Sequence, residues 1–236
     1  MLIEEAKWLA RQIAELEPGR VFPLLDVGSS TERFRSIEQP WIDREIFASA
    51  RLAGHAVSHL DAKPAAGVDI VADLGDAGAI EVLARRGYRS VFCSNLLEHV
   101  EDRETIARAL VGLLPPGGYL FVSCPYRYPF HPDPIDTMFR PTPQELAALF
   151  GGTRIYREAV IANGNYFAEL RRTPLATLRL LARLLLPFYK PQAWRRAQQE
   201  FRHYLPWMFR RFAATCVVLE RMAPTQPSPA SGRGHG

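Results

Sequence analysis

Three aspartates stand where apolar runs end. Asp26 closes VFPLLD, Asp61 closes HAVSHLD, and Asp73 lies in GVDIVADL. A carboxylate at the end of a second strand can accept two hydrogen bonds from a vicinal diol, the chemistry by which doubly wound folds read a ribose. Asp73 can accept from an exocyclic amine such as that of adenine. After Asp26 the chain reads Val27-Gly28-Ser29-Ser30-Thr31-Glu32. Gly28 lets backbone approach a ligand closely, and the following helix start offers free N–H groups. Together these residues fit an adenosine-bearing ligand. They do not form a phosphate cradle, because neither G-x-x-x-x-G-K-[ST] nor G-x-G-x-x-G occurs. Each aspartate taken singly could instead cap a following helix.

Proton chemistry has two candidates. His131 lies in YRYPFHPDPIDTMFRP with Tyr126, Tyr128, Asp133, Asp136 and Arg140, and prolines from Pro129 to Pro141 stiffen this stretch. His99 follows a probable strand in SNLLEHV. Both are placed to act as a general base on an acceptor hydroxyl, His131 first, although a structural role suits His99 as well.

The elements that must carry these residues follow from periodicity. Residues 2–16 have apolar positions near helical spacing. Strand-like runs at 21–28, 55–61, 67–74, 88–95, 119–125, 153–161 and 214–222 alternate with helical segments, and Thr142-x-x-Glu145 forms a capping box before a short helix. Such alternation implies an α/β fold, a mostly parallel seven-stranded sheet with helices on both faces. A single domain over 1–222 is expected, and the tail 223–236, PTQPSPASGRGHG at its core, reads as disordered.

The net charge of +4 hides an asymmetry. Between Ala162 and Phe212 lie ten Arg or Lys (Arg171, Arg172, Arg179, Arg183, Lys190, Arg195, Arg196, Arg202, Arg210, Arg211) and two acids, Glu169 and Glu200, so that segment is +8 and the remainder −4. Leucines at 175, 178, 181, 184 and 185 with Arg179 and Arg183 between them make a basic amphipathic helix. The segment reads as a helical insertion, 162–212, before the last strand. It can serve as a lid over the site, or it can rest through 171–212 on an anionic bilayer. Nucleic acid is not expected, since no reader motif accompanies the charge. Cys93, Cys124 and Cys216 are widely spaced and read as small buried hydrophobes, so no metal site is expected. The N-terminus does not read as a signal peptide and no apolar run is long enough to span a membrane, which points to a cytoplasmic location, with peripheral contact to the inner face of a membrane as an extension.

The block VFCSNLLEHVEDRETIARALVGLLPPGGYLFVSCPYRYPFHPDPIDTMFRPTPQEL resembles the class I S-adenosylmethionine-dependent methyltransferases, especially their type 11/12 branch. The Leu-Glu-His-Val turn, the Leu-x-Pro-Gly-Gly before a strand, and the Pro, Arg and Thr beyond it carry the likeness, which covers roughly residues 20–160 and resumes at the last strand. The resemblance implies a Rossmann-like sheet with an antiparallel final strand and S-adenosylmethionine as cofactor. It implies a cofactor loop at Asp26, Gly28, Ser29 and Ser30, the ribose on Asp61, adenine at Asp73 and the Leu74 N–H, and the methionine moiety along Asn95 and Leu96. The family's acid-x-Gly-x-Gly-x-Gly is altered, with Ser30 and Glu32 at the later glycine positions. Glu32 is expected to point outwards, where Arg33 or Arg35 could pair with it. The implied activity is methyl transfer to an O or N atom of a small-molecule, glycan or lipid-linked acceptor. A catalytically silent binding or scaffold protein on the same fold is the alternative.

Overall fold

The computed structural model describes residues 1–131, 135–185 and 191–224. Asp133, Lys190 and the tail from residue 225 onwards lie outside them. Seven strands form one sheet: β1 Leu24–Val27, β2 Val57–Asp61, β3 Ile70–Val71, β4 Ser90–Ser94, β5 Tyr119–Arg127, β6 Thr153–Ala162 and β7 Ala213–Arg221. Their order is β3-β2-β1-β4-β5-β7-β6, with β7 antiparallel to both neighbours and the pairs from β3 to β5 parallel. Parallel central strands are covered on both faces, which is why β1, β4 and most of β5 are continuous buried runs. β6, at an edge, alternates between exposed and half-buried residues and carries Arg154, Arg157 and Glu158, charges that discourage further pairing. β3 is only two residues long, because β2 offers it partners only at Leu60 and Asp61.

One face of the sheet packs Leu25, Val91, Cys93, Val122 and Val217 against α4 (Ala77–Ala84), α5 (Arg103–Gly112) and α6 (Pro143–Ala148) through Leu83, Leu110 and Leu146. The opposite face packs Leu24, Phe92, Phe121 and Val218 against α1 (Ile3–Ala14) and the stretch around Ile46 and Phe47. Two short helices, α2 (Pro18–Val21) and α3 (Ala48–Leu52), complete that side. All three cysteines are free and buried, and burial pushes their thiols up, so they stay unionised and pack as hydrophobes.

The capping box is present: Thr142 Oγ1 accepts from the Glu145 N–H at 3.3 Å, and Glu145 Oε2 accepts from the Thr142 N–H at 2.8 Å. Between β6 and β7 the chain forms α7 (Tyr166–Arg172), α8 (Pro174–Leu185), α9 (Pro191–Tyr204) and a 3-10 turn, Leu205–Met208. The sequence marks only α8 of these helices clearly, since α9 is mostly Gln, Arg and aromatic residues with few aliphatic ones.

Candidate functional site

Because β2, β1 and β4 are neighbours, the residues past their carboxyl ends converge. Gly28 leaves β1 with φ 70°, and a Cβ built there would lie 3.2 Å from Leu96 Cδ1, so the glycine keeps the chain against the start of the β4 loop. Ser29 is buried and its N–H donates to the Leu60 carbonyl at 3.0 Å. Ser30 adopts φ 54°, the left-handed conformation that a glycine would take without cost, and its N–H donates to Asp61 Oδ2 at 2.9 Å. The other Asp61 oxygen accepts from the Lys63 N–H at 3.1 Å.

Arg35 holds this loop from behind. It lies in a widened π-type turn, Phe34–Glu38, and is only 4% exposed. Its Nη1 donates to the carbonyls of Ser29 and Ser30, both at 2.8 Å, and its Nη2 to the carbonyl of Gly67 at 2.7 Å. Thus Arg35 pairs with backbone, and Arg33 pairs with Glu38 at 3.0 Å; neither is the partner expected for Glu32. Glu32 is exposed, and its Cβ and Cα pack where Gly67 has no Cβ. Asp26 is turned inward: its Oδ2 lies 2.8 Å from His59 Nδ1, in register on β2, and both side chains are nearly buried. That pair fixes the root of the loop rather than presenting a free carboxylate.

At the end of β3, Asp73 is exposed and its Oδ1 accepts from the Gly75 N–H at 2.8 Å. The Leu74 side chain enters the core, while its N–H has no hydrogen-bond partner among the described residues. At the end of β4, Asn95 has φ 50° and its Nδ2 donates to Glu5 Oε1 at 2.8 Å. Glu5, on α1, is fully buried: Oε1 also accepts from Ser123 Oγ at 2.6 Å, and Oε2 from the Leu2 N–H at 2.7 Å. This carboxylate ties α1 to the ends of β4 and β5.

The loop leaving β5 closes over the turn Leu97–His99. Thr137 donates from both N–H and Oγ1 to the Glu98 carbonyl, each at 2.9 Å, and His99 Nδ1 bonds the Ile135 carbonyl. His131 and His99 therefore come together, with ring centroids 5.3 Å apart. His131 Nδ1 lies 3.1 Å from Asp136 Oδ2, and burial lowers its pKa against the pull of that carboxylate. Burial would raise Asp136, but hydrogen bonds from Arg140 and from the N–H groups of His131 and Met138 bring it down to about 2. Glu98 is fully buried, which pushes it up to about 8. A metal-compatible trio, Glu98, His99 and His131, thus exists where the sequence suggests none.

Beyond α1, a cavity of about 380 Å³ is lined by Leu2, Trp41, Tyr166, Glu169, Leu170 and Leu180 among others. Burial raises the Glu169 carboxyl, with Arg172 opposing. The insertion reaches back over the strand ends, His203 Nε2 lying 2.9 Å from the Phe130 carbonyl. On its outer side Leu175 (71%), Leu178, Leu181 and Leu185 (77%) are exposed, as are Arg171, Arg172, Arg179, Arg183, Arg195 and Arg196. No ion pair joins these cations to an acid among the described residues. Among the described residues no helix is long and apolar enough to cross a membrane.

The sequence does not reveal His59, Arg35 or Glu5 as parts of this assembly. Two of them left a trace: His59 alternates in phase with Val57 and Asp61 along β2, and Glu5 falls on the same helical stripe as Leu9 and Gln12.

No protein-family model and no curated protein matches the chain. Solved structures do. A protein of Galdieria sulphuraria provisionally assigned as a sarcosine dimethylglycine methyltransferase superposes with TM-score 0.55 at 12% identity, over 93% of this chain and 85% of that one. Coclaurine N-methyltransferase bound to N-methylheliamine and S-adenosylhomocysteine gives 0.54 at 14%, over 92% and 70%. YjhP from E. coli gives 0.50 at 14%, over 94% and 93%. The fold is that of the class I methyltransferases, a seven-stranded Rossmann-like sheet with helices on both faces.

Proposed function

We propose that this protein transfers a methyl group from S-adenosylmethionine to an oxygen or nitrogen of a small-molecule acceptor. The observation that carries the reading is the loop turned through Gly28 and tied by the Ser30 N–H to Asp61. Ser30 already holds the left-handed conformation that the missing glycine would supply, and Glu32 is exposed, which supports a loop that still takes a ligand. This weighs against a silent scaffold.

In this reading Asp61 takes the ribose diol on its remaining lone pairs and keeps the bond from the Ser30 N–H. Asp73 and the Leu74 N–H meet adenine. Gly28, Ser29 and Ser30 line the methionine end, with Asn95 and Leu96 opposite. Asp26 contributes through His59, by fixing the loop's root. S-adenosylmethionine supplies an electrophilic methyl on a sulfonium, already a good leaving group. The protein's task is then alignment of the acceptor. The cavity beside α1 suits the body of a small acceptor: Trp41 and Tyr166 offer apolar contact, and Glu169 a polar anchor. Leu2 and Glu5 connect that cavity to Asn95. A hydroxyl acceptor needs its proton removed, and His131 and His99 are the groups for it.

The exposed leucines of α8 and the exposed arginines of α8 and α9 favour an acceptor met at an anionic membrane surface, with α8 lying on the headgroups. The test of methyl transfer is label incorporation from methyl-tritiated S-adenosylmethionine into a panel of small amines, alcohols and lipid-linked acceptors. Transfer to any of them, abolished by Asp61→Ala, supports the reading; binding of cofactor without transfer to any class would return the scaffold alternative.

A further inference from the structure

Glu98 is the least explained group in the molecule. Its side chain is wholly buried and neither carboxylate oxygen has a hydrogen-bond partner in another residue. A buried carboxylate without donors is costly, and native folds rarely keep one that nothing satisfies. The nearest polar atom offered by an ionisable neighbour is His99 Nε2, at 3.8 Å from Oε1, too far for a hydrogen bond.

Two imidazoles lie beside it. His99 Nδ1 bonds the Ile135 carbonyl, which fixes the proton on that nitrogen and leaves the Nε2 lone pair toward Glu98. His131 Nδ1 lies 3.1 Å from Asp136 Oδ2, a carboxylate held by Arg140 at 2.6 Å, yet this buried nitrogen also has no hydrogen-bond partner among the described residues. A carbonyl bonded to the far nitrogen of His99 is a usual outer partner of a metal-bound imidazole. One ligand atom from each of Glu98, His99 and His131 falls within 4.8 Å of the others. Metal bonds of about 2.1 Å in a tetrahedral site put ligand atoms about 3.4 Å apart, so binding must draw the three side chains closer together.

We infer that Glu98, His99 and His131 form a binding site for a divalent transition-metal cation of the zinc class. Two imidazoles and one carboxylate suit such ions better than Mg²⁺ or Ca²⁺, and three protein ligands leave a position open for an oxygen ligand. The trio begins three residues past Asn95, at the end of β4. What the ion does there rests on the methyl-transfer reading: a coordinated acceptor hydroxyl would lose its proton more readily, with the histidines acting as ligands instead of bases. Whether the ion binds does not rest on it.

The test uses the full chain, free of any histidine tag and stripped with a chelator. Co²⁺ is titrated while its visible absorption is followed, and Zn²⁺ affinity is measured by calorimetry. The expected result is one Co²⁺ per chain, displaced by one Zn²⁺, with Glu98→Gln and His131→Asn each weakening Zn²⁺ binding by at least about tenfold. His203→Asn, outside the trio, should leave it unchanged. If Glu98→Gln does not fold, His131→Asn decides alone, since His131 is the most exposed of the three ligands. No saturation up to roughly 1 mM metal, or a site that survives these substitutions, overturns the inference. S-adenosylhomocysteine binding is measured on the same samples. Cofactor binding without metal binding defeats this inference only, and metal binding without cofactor binding defeats the methyl-transfer reading only.

Discussion

Arg35→Lys is the most informative single change near the loop. Three charged hydrogen bonds join the Arg35 guanidinium to the carbonyls of Ser29, Ser30 and Gly67. A lysine keeps the charge but loses the fork, and a single ammonium cannot span the three carbonyls. Losing two of these bonds at the lower end of about 1.5 kcal/mol each removes about 3 kcal/mol from the ordered loop. The sheet should survive, because Leu25 and Val27 remain packed in the core below. The loss therefore falls on a local opening of residues 28–31, which the cofactor must reverse in order to bind. At about 1.4 kcal/mol per tenfold, affinity for S-adenosylhomocysteine should drop by up to about 100-fold. Calorimetry on the folded variant reads this directly, and hydrogen exchange at Ser30 and Glu32 reads the opening. A variant that binds within about twofold of the parent would refute the idea that Arg35 holds the loop in its binding conformation.

Asp61→Ala removes both the diol acceptor and the tie to Ser30, so cofactor affinity should fall by about 1.5–3 kcal/mol with the fold intact; equal affinity by calorimetry removes Asp61 from the site. Glu169 has a folded pKa raised by burial, so the native state pays nothing while both states are protonated and loses stability as pH rises from the ordinary glutamate value through the raised one. Glu169→Gln should accordingly raise the melting temperature at pH 7 and leave it unchanged near pH 4, and an equal shift at both would contradict the burial argument. Changing Arg179, Arg183, Arg195 and Arg196 to Ser should cost about 4 kcal/mol of binding to anionic vesicles, at about 1 kcal/mol per cation. Failure of the parent protein to sediment with such vesicles at low salt would leave the insertion as a lid alone.

The sheet was legible because the first four strands are runs closed by an acid, an amide or a glycine, and because β1, β4 and β5 are too apolar to lie at an edge. The same pattern placed Asp61, Asn95 and Gly28 at one rim. Boundaries were less legible: β3 reads as eight residues but pairs over two, since its length depends on how far β2 extends beside it. Arg35 was invisible as a loop partner because nothing in FRSIE tells that its helix widens into a π-type turn and aims the guanidinium inward. The Glu5–Ser123 bond joins residues 118 apart and exists only once α1 lies across the sheet. The metal trio was hidden likewise, since Glu98-His99 and His131 meet only when the β5 loop folds back through Thr137 and Ile135.

The central claim is that the Gly28–Asp61 rim holds S-adenosylmethionine, and calorimetric titration of the purified chain with S-adenosylhomocysteine tests it most directly. The expected result is saturable binding of one molecule per chain, weakened in Asp61→Ala and in Arg35→Lys. Absence of binding up to roughly 1 mM ligand, in a chain with a cooperative thermal melt, would contradict it.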